Sequence, residues 1–166
     1  MADSEVENRV LQQVDREELV ELGKSLVRIP SFIGEETALA RWVASYLGSR
    51  GYEVELQEVE RGWFQTVAVL KGSGQGRSIM FNGHLDINPL AQGWTRDPFD
   101  PWVEGNRLYG AGIRNMKSGV AAMIHAAEAL RKSGVSLSGD IVVACVLAEL
   151  QGGLGTKHLV DRGYKT

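Results

Sequence analysis

Ile141-Val142-Val143-Ala144-Cys145-Val146-Leu147-Ala148, stopped by Glu149, is the stretch that decides the fold. It is far too short to span a bilayer, which takes roughly 20 apolar residues. An unbroken apolar run of this length reads instead as a central strand covered on both faces. Downstream, Gly152-Gly153-Leu154-Gly155 turns the chain into a short helix reaching about Arg162. Upstream, Met116 to Lys132 reads as a helix rich in small residues (Gly119, Ala121, Ala122, Ala126, Ala127, Ala129), with an apolar face of Val120, Met123, Ile124, Ala127 and Leu130. Small residues let a helix lie close on a sheet.

Further upstream the pattern alternates again. Ser78-Ile79-Met80-Phe81-Asn82 is a strand whose unbroken apolar centre predicts burial on both faces. Thr66 to Leu70 is another strand, and Tyr52, Val54 and Leu56 alternate with Glu53, Glu55 and Gln57 in a half-buried one. Two helices precede these. Asp15 caps the first, in which Leu19, Leu22, Leu26 and Ile29 keep helical spacing until Pro30. The second carries Glu35 and Glu36 in its first turn, the stripe Leu39, Trp42, Val43, Tyr46 and Leu47, and Gly51 just past its end. Residues 1–14 form a polar arm, leaving residues 15–166 as one α/β layered unit. Between about Gly83 and Gly112 lies a long irregular stretch with a short strand near Arg107-Leu108-Tyr109. Loops this long are usually functional or disordered, and Trp94 and Trp102 argue against disorder.

Composition narrows the function classes. The 166 residues carry 18 Lys+Arg and 21 Asp+Glu, a net charge of -3 that argues against a general nucleic-acid binder. Residues 1–62 are net -6 and residues 63–166 net +3, so an anionic substrate suits the second stretch. The acidic start Met1-Ala2-Asp3-Ser4-Glu5 is no signal peptide, and no apolar run calls for a membrane. One cysteine, Cys145, excludes an internal disulfide and a Cys-only zinc site and fits a reducing cytoplasm. There is no internal repeat, no Walker-A loop and no Gly-x-Ser-x-Gly elbow. Gly110-Ala111-Gly112 lacks the third glycine of a dinucleotide fingerprint, while Gly152-Gly153-x-Gly155 offers an anion the start of a helix.

Chemistry gathers at two strand ends. His84 and Asp86 follow the strand at 78–82, and Glu149 follows the strand at 141–148. In open α/β sheets ligand sites lie at the carboxyl ends of strands, so these three groups are expected in one crevice. An imidazole with a carboxylate two residues on is a reasonable start for a metal site. Glu149, leaving an apolar strand, is expected to be partly desolvated and raised toward the range of a working base. Each residue has a plainer reading. His84 fits a hydrogen-bonded structural role, Asp86 fits a cap on the turn at Ile87-Asn88-Pro89, and Glu149 fits a solvated strand terminus. His125 and His158 lie on helices and read as structural or exposed, and Cys145 as core.

Taken together, the segments resemble the N-terminal part of the M20 metallopeptidase family, which includes acetylornithine deacetylase and succinyl-diaminopimelate desuccinylase. The resemblance runs from about residue 16 to 166. It is carried by Ser25-Leu26-Val27-Arg28-Ile29-Pro30-Ser31, Gly83-His84-Leu85-Asp86, Trp94 with Asp97-Pro98-Phe99, Leu108-Tyr109-Gly110-Ala111-Gly112, Asn115-Met116-Lys117-Ser118-Gly119, and Glu149 with Gly152-Gly153-Leu154-Gly155-Thr156. It implies a layered sandwich with a central mixed, mostly parallel sheet flanked by helices, of which these residues form an incomplete part. It also implies two zinc or cobalt ions activating a water that cleaves the amide of an N-acyl amino acid or small peptide. In that scheme His84 is a metal ligand, Asp86 the acid that tunes the metal site, and Glu149 the general base.

Two positions depart from the family pattern. Asn115 stands where the bridging aspartate is expected, and Leu150 where a second, ligating glutamate is expected. Neither supplies the negative charge that two divalent cations require. The alternatives are a metal-poor M20-like binding or scaffold protein, or an inactive fragment. The resemblance further implies a second domain that makes a homodimer in the full-length protein. Without the rest of the sheet, an open strand edge is expected to make these residues associate when made alone.

Overall fold

The structure, a computed structural model, describes residues 2–164. Met1, Lys165 and Thr166 lie outside the described residues. The order is α1 (Ala2–Leu11), α2 (Arg16–Val27), α3 (Thr37–Gly48), β1 (Glu53–Glu60), β2 (Trp63–Leu70), β3 (Ile79–His84), β4 (Trp102–Glu104), β5 (Arg107–Tyr109), α4 (Ser118–Ser133), β6 (Ile141–Val146) and α5 (Leu154–Asp161). Among the described residues no helix is long and apolar enough to cross a membrane.

The sheet runs β1-β2-β6-β3. It is mixed, as expected, but it is not mostly parallel among the described residues. Only β3 and β6 run parallel; β1–β2 and β2–β6 are antiparallel. The reason for the first is local: two residues, Arg61 and Gly62, join β1 to β2, and so short a link makes only a hairpin. The parallel pair needs a long crossover, which is the irregular stretch plus α4.

β6 is buried throughout, as its apolar run predicts. Ile141, Val143 and Cys145 face one core with Leu26, Leu39, Val43, Leu47, Leu85 and Ile124 from β3's end and helices α2 to α4. Val142, Ala144 and Val146 face a smaller core closed by Leu159 of α5. Burial pushes the Cys145 thiol up to about 12, so it behaves as core. β3 departs from expectation. It lies at an edge of the sheet, Ile79 is 52% exposed and Asn82 is exposed, so its apolar centre is only half covered.

Glycine sets two close approaches. A side chain at Gly83 would meet the Met123 Cε of α4 at 2.4 Å, so α4 can press on β3. A side chain at Gly155 would meet the backbone oxygen of Leu147 at 2.6 Å, so α5 can start against the end of β6.

Helix ends tie the layers together. Asp15 caps α2, accepting from the N–H groups of Glu17 at 2.8 Å and Glu18 at 3.2 Å. The N–H of Asp15 itself donates to His125 Nε2 at 3.0 Å, which gives that buried histidine a structural role. In α1, Arg9 donates to the Ser133 carbonyl at the end of α4 at 2.7 Å. Glu36 corrects the sequence reading. It lies just before α3 rather than in its first turn, and it is fully buried. Its carboxylate accepts from Trp63 Nε1 at 2.6 Å and from the Ala148 N–H at 3.2 Å. Burial raises its pKa despite these bonds.

Candidate active site

The parallel pairing of β3 with β6 builds the site. His84 lies in register with Val146, and the pairing continues as the Leu85 N–H donates to the Val146 carbonyl at 2.8 Å. The two strands therefore end side by side, with the chain carrying Asp86 leaving one and Glu149 leaving the other. Ala148 adopts a left-handed backbone, φ 48°, where a residue with a Cβ is strained. That kink breaks the strand and swings the next two N–H groups toward Asp86. Gly152 and Gly153, both at positive φ, then reverse the chain into α5.

Asp86 is buried and organises both ends. Its carboxylate accepts the N–H of Glu149 at 3.1 Å and of Leu150 at 2.9 Å, and lies 3.3 Å from His84 Nδ1. Burial alone would push this carboxyl up. The hydrogen bonds from His84, Leu150 and Glu149 outweigh burial and hold it below the usual aspartate value. His84 Nδ1 donates to the Asp86 carbonyl at 2.9 Å, which fixes the ring and turns Nε2 into the pocket. There Nε2 lies 3.2 Å from Asn115 Oδ1 and 3.8 Å from Glu149 Oε2. Burial pushes the imidazole down, but Asp86 and Asn115 together raise it above the ordinary histidine value. Both ring nitrogens thus face oxygen atoms, the Asp86 carbonyl on one side and Asn115 Oδ1 on the other.

Asn115 reaches the site from a wide turn, Ile113–Lys117, in which Asn115 and Met116 leave helical dihedrals and the Lys117 N–H donates back to the Gly112 carbonyl at 3.0 Å. Lys117 is the group that sequence reasoning missed. Its side chain is fully buried, and Nζ donates to the carbonyls of Leu26 and Ile29, both at 2.8 Å, at the end of α2. Burial lowers its pKa to about 7. It clamps the turn that presents Asn115 onto α2. The signal in the sequence was weak: a lysine one residue before an amphipathic helix looks like any solvated cation.

His84, Asn115 and Glu149 line one cavity of about 290 Å³ with Asn82, Val146 and Thr156. Of the three groups expected in one crevice, His84 and Glu149 line it, while Asp86 is buried and does not. Desolvation of Glu149 is only partial, because its side chain keeps 50% of its exposure. A larger cavity of about 620 Å³ lies among α2, α3 and α4. Its charges are already matched: Glu128 with Arg131 and Arg50, and Glu18 with Lys132.

The donor set tests the implied metals. His84 and Glu149 supply one imidazole and one carboxylate, Asn115 adds a neutral amide, and Leu150 adds only its N–H to Asp86. Among the described residues no group of three or more His, Cys, Asp or Glu side chains is placed to hold a metal ion. These residues do not fit a bridged pair of divalent cations, whose charge of +4 needs more than one facing carboxylate.

An imidazole and two carboxylates thus gather at the ends of adjacent parallel strands, and comparison with known proteins gives the chain a family. The family model of peptidase family M20/M25/M40 matches residues 80–166. The chain belongs to that family. It is 32% identical over 156 residues to the N-formyl-4-amino-5-aminomethyl-2-methylpyrimidine deformylase of Bacillus subtilis (strain 168), covering 90% of this chain and 37% of the relative. It is also 32% identical over 148 residues to the succinyl-diaminopimelate desuccinylase of Wolinella succinogenes, covering 88% of this chain and 39% of the relative. The chain thus spans less than two fifths of the length of these relatives. Human carnosine dipeptidase 1 shares the fold with a TM-score of 0.77 at 24% identity, over 96% of this chain and 37% of that one.

Proposed function

We propose that this chain carries the His84–Asp86–Glu149 part of an amidohydrolase that cleaves the amide bond of an N-acyl amino acid or small peptide. The observation that carries this reading is the 3.8 Å approach of Glu149 to His84 inside one cavity of an M20 domain. Glu149, half in solvent, takes a proton from a pocket water. The oxygen of that water bonds to the amide carbon, and the C–N bond breaks as the proton passes to the departing amine. Asp86 acts on both partners by holding the His84 ring and the Glu149 backbone.

The resemblance to the family implies zinc or cobalt, which would polarise the carbonyl and acidify the water. The side chains present do not complete such a pair, so no step is assigned to it. A homodimer formed through a further domain is likewise part of this proposal.

A second reading rests on a separate observation, the neutral residues Asn115 and Leu150 beside His84 and Asp86. It describes a metal-poor M20-like protein that binds its ligand without cleaving it. Metal analysis and an N-acyl amino acid hydrolysis assay, both on the protein made from its whole reading frame, separate the two. Turnover that disappears in Glu149→Gln supports the first reading. Tight binding with no turnover at any added zinc or cobalt level overturns it in favour of the second.

A further inference from the structure

A second hollow, of about 520 Å³, adjoins the site. Its walls include Leu90, Trp94, Leu108, Tyr109 and Ile113, and Asn115 lines both this hollow and the cavity that holds His84 and Glu149. Trp94 is 39% exposed and Leu90 is 40% exposed. Such a large indole in water normally finds cover. Its orientation is nevertheless held: Trp94 meets Trp102 edge-on at 6.3 Å, and Trp102 stacks flat on Tyr109 at 5.1 Å. Arg96 lies 5.0 Å over the Trp102 ring and braces it further. The strands β4 and β5 carry Trp102 and Tyr109 as directly paired residues, so the stack rests on a hairpin. A fixed aromatic wall beside a polar reactive pocket is the arrangement of a small-molecule site, apolar over most of its area with a few directing polar groups.

We infer that this hollow is a subsite for a flat, apolar group, an aromatic ring attached on one side of the amide whose bond lies at His84 and Glu149. The inference rests on the proposed amidohydrolase reading and adds the class of substrate. Asn115 is the junction: its amide oxygen faces His84, and the residue also lines the aromatic hollow. A ring seated on Trp94 gains apolar burial and the preference of aromatic pairs for stacked or edge-on contact.

The test uses the protein made from its whole reading frame and two matched pairs of compounds, N-acetyl-L-phenylalanine with N-acetyl-L-alanine and N-benzoylglycine with N-acetylglycine. Binding is measured by calorimetry and turnover separately. The expected result is that at least one aromatic member binds about tenfold more tightly than its aliphatic counterpart, a difference of about 1.4 kcal/mol. Trp94→Ala should remove that preference while Trp94→Phe retains it. Leu90→Ala, which leaves the indole in place, should weaken the preference by a smaller factor. Equal binding within each pair, or a preference that survives Trp94→Ala, overturns the subsite, as it would if another part of the protein covered the hollow. Preferential binding with no turnover would leave the subsite standing and sink the hydrolase reading; turnover without preference does the reverse.

Discussion

The Asp86 carboxylate receives the backbone N–H of Glu149 at 3.1 Å, so an acid leaving one strand holds the acid leaving its neighbour. The same carboxylate stands 3.3 Å from His84 Nδ1. Replacing it by Asn115's kind of neutral amide should therefore act on both groups. In Asp86→Asn we expect a stability loss of about 1.5–3 kcal/mol at neutral pH, the range for hydrogen bonds to a charged group. The pH dependence has a definite sign. Asp86 is held below the usual aspartate value, so its contribution is present above that value and is lost as pH falls through the folded one. His84 is raised, so its share is full below the ordinary histidine value and fades as pH climbs through the raised one. Urea midpoints between pH 3 and pH 8 should be flatter at both ends in the variant. An unchanged acid limb would refute the role given to Asp86.

Glu149→Gln keeps the shape of the side chain and removes the proton acceptor. Hydrolysis of a responsive N-acyl amino acid should fall by about 10²–10⁴, with KM changed far less. The half-exposed position of Glu149 means that folding should be unaffected. Retained turnover would move the base elsewhere.

Asn115→Asp puts a second carboxylate where an amide oxygen now lies 3.2 Å from His84 Nε2. Zinc affinity, read by competition with a chromophoric chelator, should rise about tenfold or more, because an anionic oxygen replaces a neutral one in the donor set. No rise would show that charge at this position does not limit metal binding.

Lys117 makes a prediction on the alkaline side. Burial lowers it to about 7 from an ordinary value of 10.5. Between those values the unfolded chain keeps a proton that the folded chain has released, so this group makes stability climb with pH across that window. Lys117→Met should lose the climb. Chemical denaturation at pH 7 and pH 9, compared between the two proteins, measures the difference directly. Parallel curves would show that the ammonium stays charged against its two carbonyls.

Gly155→Ala should be costly without touching the pocket. The new methyl group would lie 2.6 Å from the Leu147 carbonyl oxygen and 2.3 Å from Gln65 Oε1. Main chain cannot yield as a side chain can, and overpacking of this kind typically costs about 1–3 kcal/mol. A melting temperature within a degree of the parent would contradict the close seat of α5.

Much of the scaffold was legible because its signals were strong and local. The continuous apolar run at 141–148 identified a covered central strand, and the Asp15 cap and small residues of α4 marked helix ends and packing. Shared placement of His84, Asp86 and Glu149 followed from strand ends alone. The misreadings have physical causes. The apolar centre of β3 resembles that of β6, yet only its neighbours decide that it lies at an edge. Glu36 is a charged residue near a helix start, and nothing local tells that Trp63 and Ala148 will bury it. Lys117 is similar: its partners, Leu26 and Ile29, are distant in the chain. Sheet direction also depends on pairings that periodicity does not encode.

The order of the strands bears on how the protein comes into being. β6 sits between β2 and β3 but is made long after both. While it is still inside the ribosome, two earlier strands wait with no backbone partner between them, and the nascent chain has Asp86 without the amides that later quiet its charge. Val146, Glu149 and Thr156 therefore join His84 and Asn115 in the pocket only with that late insertion, so the site is closed last.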